Sequence, residues 1–263
     1  MRKIIDGHIH IEKGGYNLNW INKFVTSAMA KGLTEIWLLE HCYRFKEFVP
    51  MYGSVCKYSD YINSWFHRKA GIYNLDDYLY LVENVRNANF PITIKFGLEI
   101  CYFKDYENFV YKITKDKGFD FLVGSVHFVD DFAFDHKAEF WKNIDVDQVF
   151  HRYFETSIDL AKSGIYSGIA HPDCIKLFGH VPTFSLLDYY DNLALELAKW
   201  DMYAEQSSGI ARRCYAELGM NKDMLNIMKK HNVEIKTVSD AHCPEDVGLH
   251  IRELNKILSE CNL

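Results

Sequence analysis

Runs of four to eight apolar residues alternate along this chain with longer stretches whose apolar positions recur every three or four residues. The short runs carry the period of strands and the longer stretches that of helices with one apolar face. The pattern predicts strands over 3–9, 35–39, 91–98, 119–126, 167–170, 202–205 and 233–238, and helices near 18–31, 75–88, 105–116, 145–163, 184–199, 221–231 and 246–260. Gly32, Gly118 and Gly164 follow the first, third and fourth of these helices, where a left-handed closing residue is expected. Strand and helix in alternation imply a parallel α/β sheet or barrel. No Pro-, Gly- or Ser-rich linker interrupts the pattern, so 1–263 is read as a single domain. One connection is long: an aromatic and basic insertion at about 42–74, of a length often found in a functional loop or a lid.

The residues at the predicted strand ends share a chemistry. The first strand closes on His8 and His10, the second on Glu40 and His41, the third on Glu99, the fourth on His127, the fifth on His171, the sixth on Glu205 and the seventh on Asp240 and His242. In a parallel barrel these positions meet at one edge, where active sites are built. His8 and His10 are two apart and share a strand face, as do Asp240 and His242. Imidazole and carboxylate are the donors that hold zinc, manganese or iron, so a metal centre is expected. His67, His136, His151, His180, His231 and His250 lack such partners and are expected on the surface or in packing roles.

Composition narrows the setting. The chain is 48% hydrophobic and 25% charged, which suits a globular protein. It has no signal-like leader and no apolar run long enough to span a membrane, so a cytoplasmic protein without membrane contact is expected. Seven cysteines without a CxxC pair suggest reduced packing residues. The net charge of -6 argues against a nucleic-acid partner, and three divalent ions would neutralise it.

Taken together, DGHIH (6–10), EH (40–41), GLE (97–99), GSVHF (124–128), AHPD (170–173) and SDAH (239–242) resemble the PHP family of metal-dependent phosphoesterases, named for polymerase and histidinol phosphatase. GSVHF, AHPDCIKLFG and SDAHCPEDVG are similar to its histidinol-phosphatase branch, and the resemblance runs from Ile5 to about Val247. It implies a distorted (β/α)7 TIM-like barrel holding two or three divalent ions, Mn, Fe or Zn. By the same resemblance the first ion takes His8, His10, Glu99 and Asp240. Glu99 bridges to a second held by His127 and His171, and a third takes His41 and His242. Asp6 is expected to orient a ligand histidine rather than bind metal. Many members carry a further histidine soon after the first pair, where IEKGGY here places Tyr16. Glu12 is the nearest replacement, either as a hard donor favouring Mn or Fe or as a solvated loop carboxylate.

The implied reaction is hydrolysis of a phosphate ester, with a hydroxide between the first two ions as nucleophile and Glu99, Asp240 and His242 as catalytic groups. Asp240 or a water is expected to protonate the leaving oxygen. Arg44, Arg213 and Arg212 are the phosphate-binding candidates, Arg44 and Arg213 first. The expected partner is a small phosphorylated substrate, L-histidinol phosphate above others, with oligomeric state left open. Its imidazole and ammonium have candidate neighbours in Asp130, Asp131, Asp135, Phe132 and Phe134, and in Tyr43, Tyr52, Tyr58, Tyr61 and Trp65 of the insertion. The rival readings are a PHP phosphoesterase acting on another small phosphomonoester or a nucleotide phosphate, a metal-binding accessory barrel without turnover, and an amidohydrolase-type deaminase.

Overall fold

The computed structural model describes residues 3–212 and 217–260. Seven parallel strands, β1 (Ile5–His10), β2 (Glu35–His41), β3 (Thr93–Cys101), β4 (Phe121–Ser125), β5 (Gly168–Ile169), β6 (Tyr203–Ser207) and β7 (Ile235–Val238), pair in sequence order. A parallel bridge between Ile9 and Ala241, with His10 N donating to Ala241 O at 2.7 Å, brings the two outer strands together and nearly closes a barrel. The helices lie around it: α1 (Leu18–Ala30), α2 (Val55–Tyr58), α3 (Asp60–Lys69), α4 (Leu75–Asn87), α5 (Glu107–Thr114), α6 (Val146–Lys162), α7 (Leu187–Lys199), α8 (Lys222–Lys230) and α9 (Ile251–Glu260).

Local chemistry accounts for the element ends. Asn17 caps α1 by accepting from Trp20 N at 3.0 Å, and the helix buries Ile21, Phe24, Val25 and Ala28, one apolar stripe. Gly32, Gly118 and Gly164 adopt φ of +78°, +73° and +64°, the left-handed closure expected of them. The last helix begins later than its pattern predicted. Pro244–Asp246 forms a 3₁₀ turn, and Gly248 and His250 at positive φ interrupt the backbone before Ile251.

The insertion is folded rather than a bare loop. Two 3₁₀ turns, Cys42–Arg44 and Lys46–Tyr52, lead into α2 and α3, and Phe45, Phe48, Met51, Tyr52, Val55, Ile62 and Phe66 are buried in the main core. Each such side chain contributes about 1.5–3 kcal/mol of burial, which ties the segment to the barrel. Among the described residues, Cys42, Cys56, Cys101, Cys174 and Cys243 are free thiols, and no helix is long and apolar enough to cross a membrane.

A second apolar cluster of Trp37, Leu39, Phe121, Val123, Ala170 and Tyr203 is formed by alternate strand residues. Glycine makes room for it. A β-carbon on Gly97 would lie 2.7 Å from a Phe121 ring carbon, and one on Gly168 would lie 2.5 Å from the Tyr203 ring. The same alternation then carries each strand into polar residues: Trp37 and Leu39 to His41, Gly97 to Glu99, Phe121 and Val123 to Ser125, Tyr203 to Glu205. The apolar plug is thus the floor of whatever the strand ends build.

Candidate metal centre

Six histidines and two carboxylates converge above that floor. His8 Nε2 lies 2.9 Å from His10 Nε2. Glu99 Oε1 lies 3.0 Å and 3.1 Å from the Nε2 atoms of His127 and His171, and its Oε2 lies 2.7 Å from His41 Nδ1 and 3.5 Å from His10 Nε2. Asp240 Oδ1 stands 3.4 Å from His10 Nε2 and 3.7 Å from His8 Nε2. The rings of His41 and His242 stack on His10 at 4.0 Å and 4.3 Å. Among the described residues three sets of donors are close enough to hold an ion: His8, His10 and Glu99; Glu99, His127 and His171; and His10, His41 and His242.

The arrangement fits divalent cations. Two imidazole nitrogens at 2.9 Å need a proton or a metal between their lone pairs, and Glu99 Oε2 is buried without a hydrogen-bond partner where two of the sets meet. The donors lie where a cation would satisfy them, and their chemistry suits zinc, manganese or iron.

Other carboxylates aim the rings. Both oxygens of Glu205 face His8 Nδ1, at 2.9 Å and 3.1 Å, and Oε2 also accepts from His171 N at 3.2 Å. Asp135 Oδ2 lies 2.9 Å from His127 Nδ1. Such contacts fix the ring and leave the opposite nitrogen for an ion. His242 Nδ1 donates to Asp240 O at 2.9 Å, with the same consequence. The backbone is bent to this end. His171 and Asp240 have φ of +29° and +53°, a region that costs a non-glycine residue about 1–3 kcal/mol.

Proton affinities follow the geometry. Burial disfavours charge on His8, but Glu205, with Glu99 and Asp240, outweighs it and lifts its pKa to about 9. His127 is likewise lifted against burial by Asp135 and Glu99, to about 10. Burial and the imidazoles of His41 and His242 hold His10 well below its ordinary value. Against burial, His41, His127 and His171 keep Glu99 well below the usual carboxylate range. At neutral pH the metal-free protein therefore carries protons on His8 and His127, and metal binding must displace them. Apparent affinity should rise with pH up to about 9–10 and fall as the pH is lowered. Calorimetric titration in buffers of different ionisation enthalpy should show proton release at neutral pH; heats independent of buffer would contradict it.

A sequence profile of the PHP domain matches residues 6–219. The chain belongs to the PHP family. A probable histidinol-phosphatase of Deinococcus radiodurans is 24% identical over 271 aligned positions, covering 97% of this chain and 93% of that protein. Among solved structures, a histidinol phosphate phosphatase of Lactococcus lactis complexed with zinc, L-histidinol and phosphate superposes with a TM-score of 0.73 at 19% identity, covering 99% of this chain and 94% of that one. A putative histidinol phosphatase of Listeria monocytogenes also gives 0.73, at 17% identity over 95% of this chain and 99% of that one. At such identities the likeness is one of fold, and it agrees with the distorted seven-stranded barrel.

The PHP barrel brings His8, His10, His41, Glu99, His127, His171, Asp240 and His242 together as their strand ends suggested, and places other expected residues elsewhere. Asp240 and His242 lie beyond the end of β7, so a left-handed turn rather than strand alternation aims them. Among the described residues Asp6 bonds to no imidazole ring: Oδ1 accepts from Ser239 N at 2.8 Å and Oδ2 from Gly248 N at 2.7 Å, fastening the segment that bears Asp240 to β1. Glu12 lines the cavity above the donors but lies outside all three donor sets.

Arg44 does not line the cavity. It is buried at 6% exposure, donates through Nη2 to Glu12 O at 3.1 Å and lies over the Tyr73 ring. Arg212 does line it, with Nη2 donating to Asp240 O and Nη1 3.6 Å from Asp246. Arg213 lies outside the described residues. Asp130 pairs with Arg152 at 2.9 Å, while Phe132 and Phe134 are buried in the core; neither they nor Asp131 line the cavity.

Glu205 was read as a strand-end residue and Asp135 as a neighbour of the substrate; Glu205 instead holds His8 and Asp135 holds His127, while Lys13, to which the chain pattern gave no role, lines the cavity. His136, expected on the surface or in a packing role, lines the cavity with Tyr43, Tyr52, Tyr61, Trp65 and Phe128, whereas Tyr58 does not. No strand end marks His136 or these aromatic residues. Their signal lay in the aromatic content of the insertion and of the segment after β4.

Proposed function

We propose that this PHP protein is a metal-dependent phosphomonoester hydrolase whose principal substrate is L-histidinol phosphate, released as histidinol and phosphate in histidine biosynthesis. The observation that carries the reading is Glu99: one oxygen faces His127 and His171, the other faces His41 and His10, so a single carboxylate spans two donor sets on the floor of a cavity of about 570 Å³. The probable histidinol-phosphatase aligned over nearly the whole chain supports the choice of substrate.

Divalent ions bound there would supply an activated water and neutralise phosphoryl oxygens. The chain's own groups do the rest. His8, His10, Glu99 and Asp240 would hold a first ion, and Glu99, His127 and His171 a second. Arg212, fixed by the Asp240 carbonyl, and Lys13 present cations to the phosphate from the cavity wall. Asp240, held ionised against burial by the imidazoles of His10, His242 and His8, would take the proton given up by the attacking water and pass it, directly or through a water beside it, to the leaving oxygen.

The rest of the substrate meets an aromatic wall. Trp65 stands edge-on to His136 at 4.6 Å and to Tyr43 at 5.2 Å, which leaves flat faces for a ring-bearing alcohol. Phosphate release should be measured across a panel. kcat/KM for histidinol phosphate is expected to exceed that for glycerol phosphate and nucleoside monophosphates by about 10²-fold or more, as a shaped apolar pocket permits. Equal values across the panel would leave a phosphatase of another specificity; metal-loaded protein that releases no phosphate would favour an accessory barrel, and ammonia release a deaminase.

A further inference from the structure

A buried cluster of polar side chains beside the barrel has no part in the chemistry above. Glu40 is wholly buried; Oε1 accepts from Tyr16 Oη at 3.0 Å, and among the described residues Oε2 has no hydrogen-bond partner. Arg44 has its guanidinium 5.5 Å over Tyr73, whose ring lies 4.4 Å from that of Tyr16, and its Nε is also unpartnered. A buried guanidinium in such a place costs several kcal/mol in desolvation. The bond from Arg44 Nη2 to Glu12 O ties them to the cavity, with Tyr16 a few residues further along the same loop.

That loop carries the Glu12 side chain to the cavity. Among the described residues no hydrogen bond or ion pair engages its carboxylate, which is near enough to His242 and Tyr43 for both to feel its charge.

Counting donors shows where a carboxylate is wanted. His10 appears in two of the three donor sets. Its Nε2, near His8 Nε2, Glu99 Oε2 and Asp240 Oδ1, belongs with the inner set, and one lone pair serves one ion. The outer set is then reduced to His41 and His242. Two imidazoles hold a divalent ion weakly, and a third protein donor must come from the same wall. Asp246 lines that wall but faces Arg212.

We propose that Glu12 completes an outer cation site with His41 and His242, and that Arg44, Glu40 and Tyr16 are positioning residues that hold the loop so its carboxylate faces that site. The assignment rests on the metal-dependent reading of the centre. A carboxylate beside two imidazoles makes a site suited to manganese or iron.

The test is equilibrium dialysis of the full chain against manganese, with bound metal counted by elemental analysis and the thermal midpoint measured in parallel. Wild-type protein is expected to show a loosest class of site that Glu12→Gln weakens by at least about 10-fold, the tighter classes being unchanged, and that Arg44→Met weakens selectively as well. If Arg44→Met does not fold, Tyr16→Phe removes only a hydroxyl and should shift the same class in the same direction.

Wild-type protein that binds only the two inner ions at millimolar manganese would overturn the proposal, as would Glu12→Gln with unaltered binding. Equal weakening of every class by the Arg44 and Tyr16 variants would overturn the positioning role. Phosphate release from the same samples keeps the two readings apart. Full manganese binding without hydrolysis sinks the phosphatase, whereas hydrolysis with an unaltered Glu12→Gln profile sinks the outer site.

Discussion

Replacing Glu99 with alanine is expected to lower phosphatase activity by at least about 10³-fold, about 4 kcal/mol of transition-state stabilisation, and to release more than one equivalent of divalent ion from the same protein. Both effects come from one carboxylate. Oε1 is within 3.1 Å of His127 and His171, and Oε2 is 2.7 Å from His41 and 3.5 Å from His10. Removing the carboxylate takes a donor from two sets and leaves several imidazoles facing one another with less negative charge among them. The histidines all remain, but the negative charge that offsets the cations among them is gone, so each ion should bind more weakly. Glu99→Gln separates charge from shape. The amide fills the same volume and still has an oxygen, but it carries no charge and is expected to bind metal far more weakly than wild type. Elemental analysis with steady-state kinetics on all three proteins checks this. Full metal content and an unimpaired kcat in Glu99→Ala would show that the carboxylate does not link the ions.

Four of the converging side chains, His8, His10, His41 and Glu99, were legible in the chain because strand geometry is periodic. Glu99 sits two residues past Gly97, and His41 two past Leu39, so each belongs to a face whose lower part is the apolar plug. His8 and His10 were legible for the same reason. Residues beyond a regular strand were harder to place. Arg44 lies three residues past His41 and read as a resident of the catalytic edge, yet the 3₁₀ turn Cys42–Arg44 carries it toward Tyr73 and the Glu12 carbonyl. Asp6 shares a strand face with His8 and His10, but the backbone amides of Ser239 and Gly248 reach its carboxylate, through contacts more than 200 residues distant in the chain. Glu205 shows the same limit. Its place at a strand end is periodic, whereas its hold on both His8 and His171 depends on the barrel bringing β1 and β5 to either side of it. Contacts that local periodicity specifies could be read in advance, and contacts that closure of the barrel creates could not.

Gly209 belongs to the second kind, and Gly209→Ala is expected to lower kcat/KM by about 10²-fold or more, since displacement of a catalytic group by about 1 Å costs that much. Nothing in QSSG marks this glycine as other than a turn residue. In the folded chain its added β-carbon would overlap Asp240 Oδ2 and lie 2.8 Å from both Cβ and Cγ of Asp240. Neither side yields easily. Asp240 already has φ of +53°, and its carbonyl accepts from both Arg212 and His242. On the other side Ser208 N donates to Val238 O at 3.0 Å and Gly209 N to Ser207 Oγ at 3.1 Å, which ties the glycine to the ends of β6 and β7. The carboxylate is therefore the part that must move, away from His8 and His10, and the ion they share should bind more weakly. Gly179→Ala is the control: that glycine has φ of +77° with nothing within 4 Å of an added β-carbon, so the change strains backbone without touching the site. A thermal shift in both variants, with metal loss and a fall in kcat/KM in Gly209→Ala alone, is the expected pattern. Equal activity in the two would mean that Asp240 tolerates displacement, and its place among the ion's donors would have to be given up.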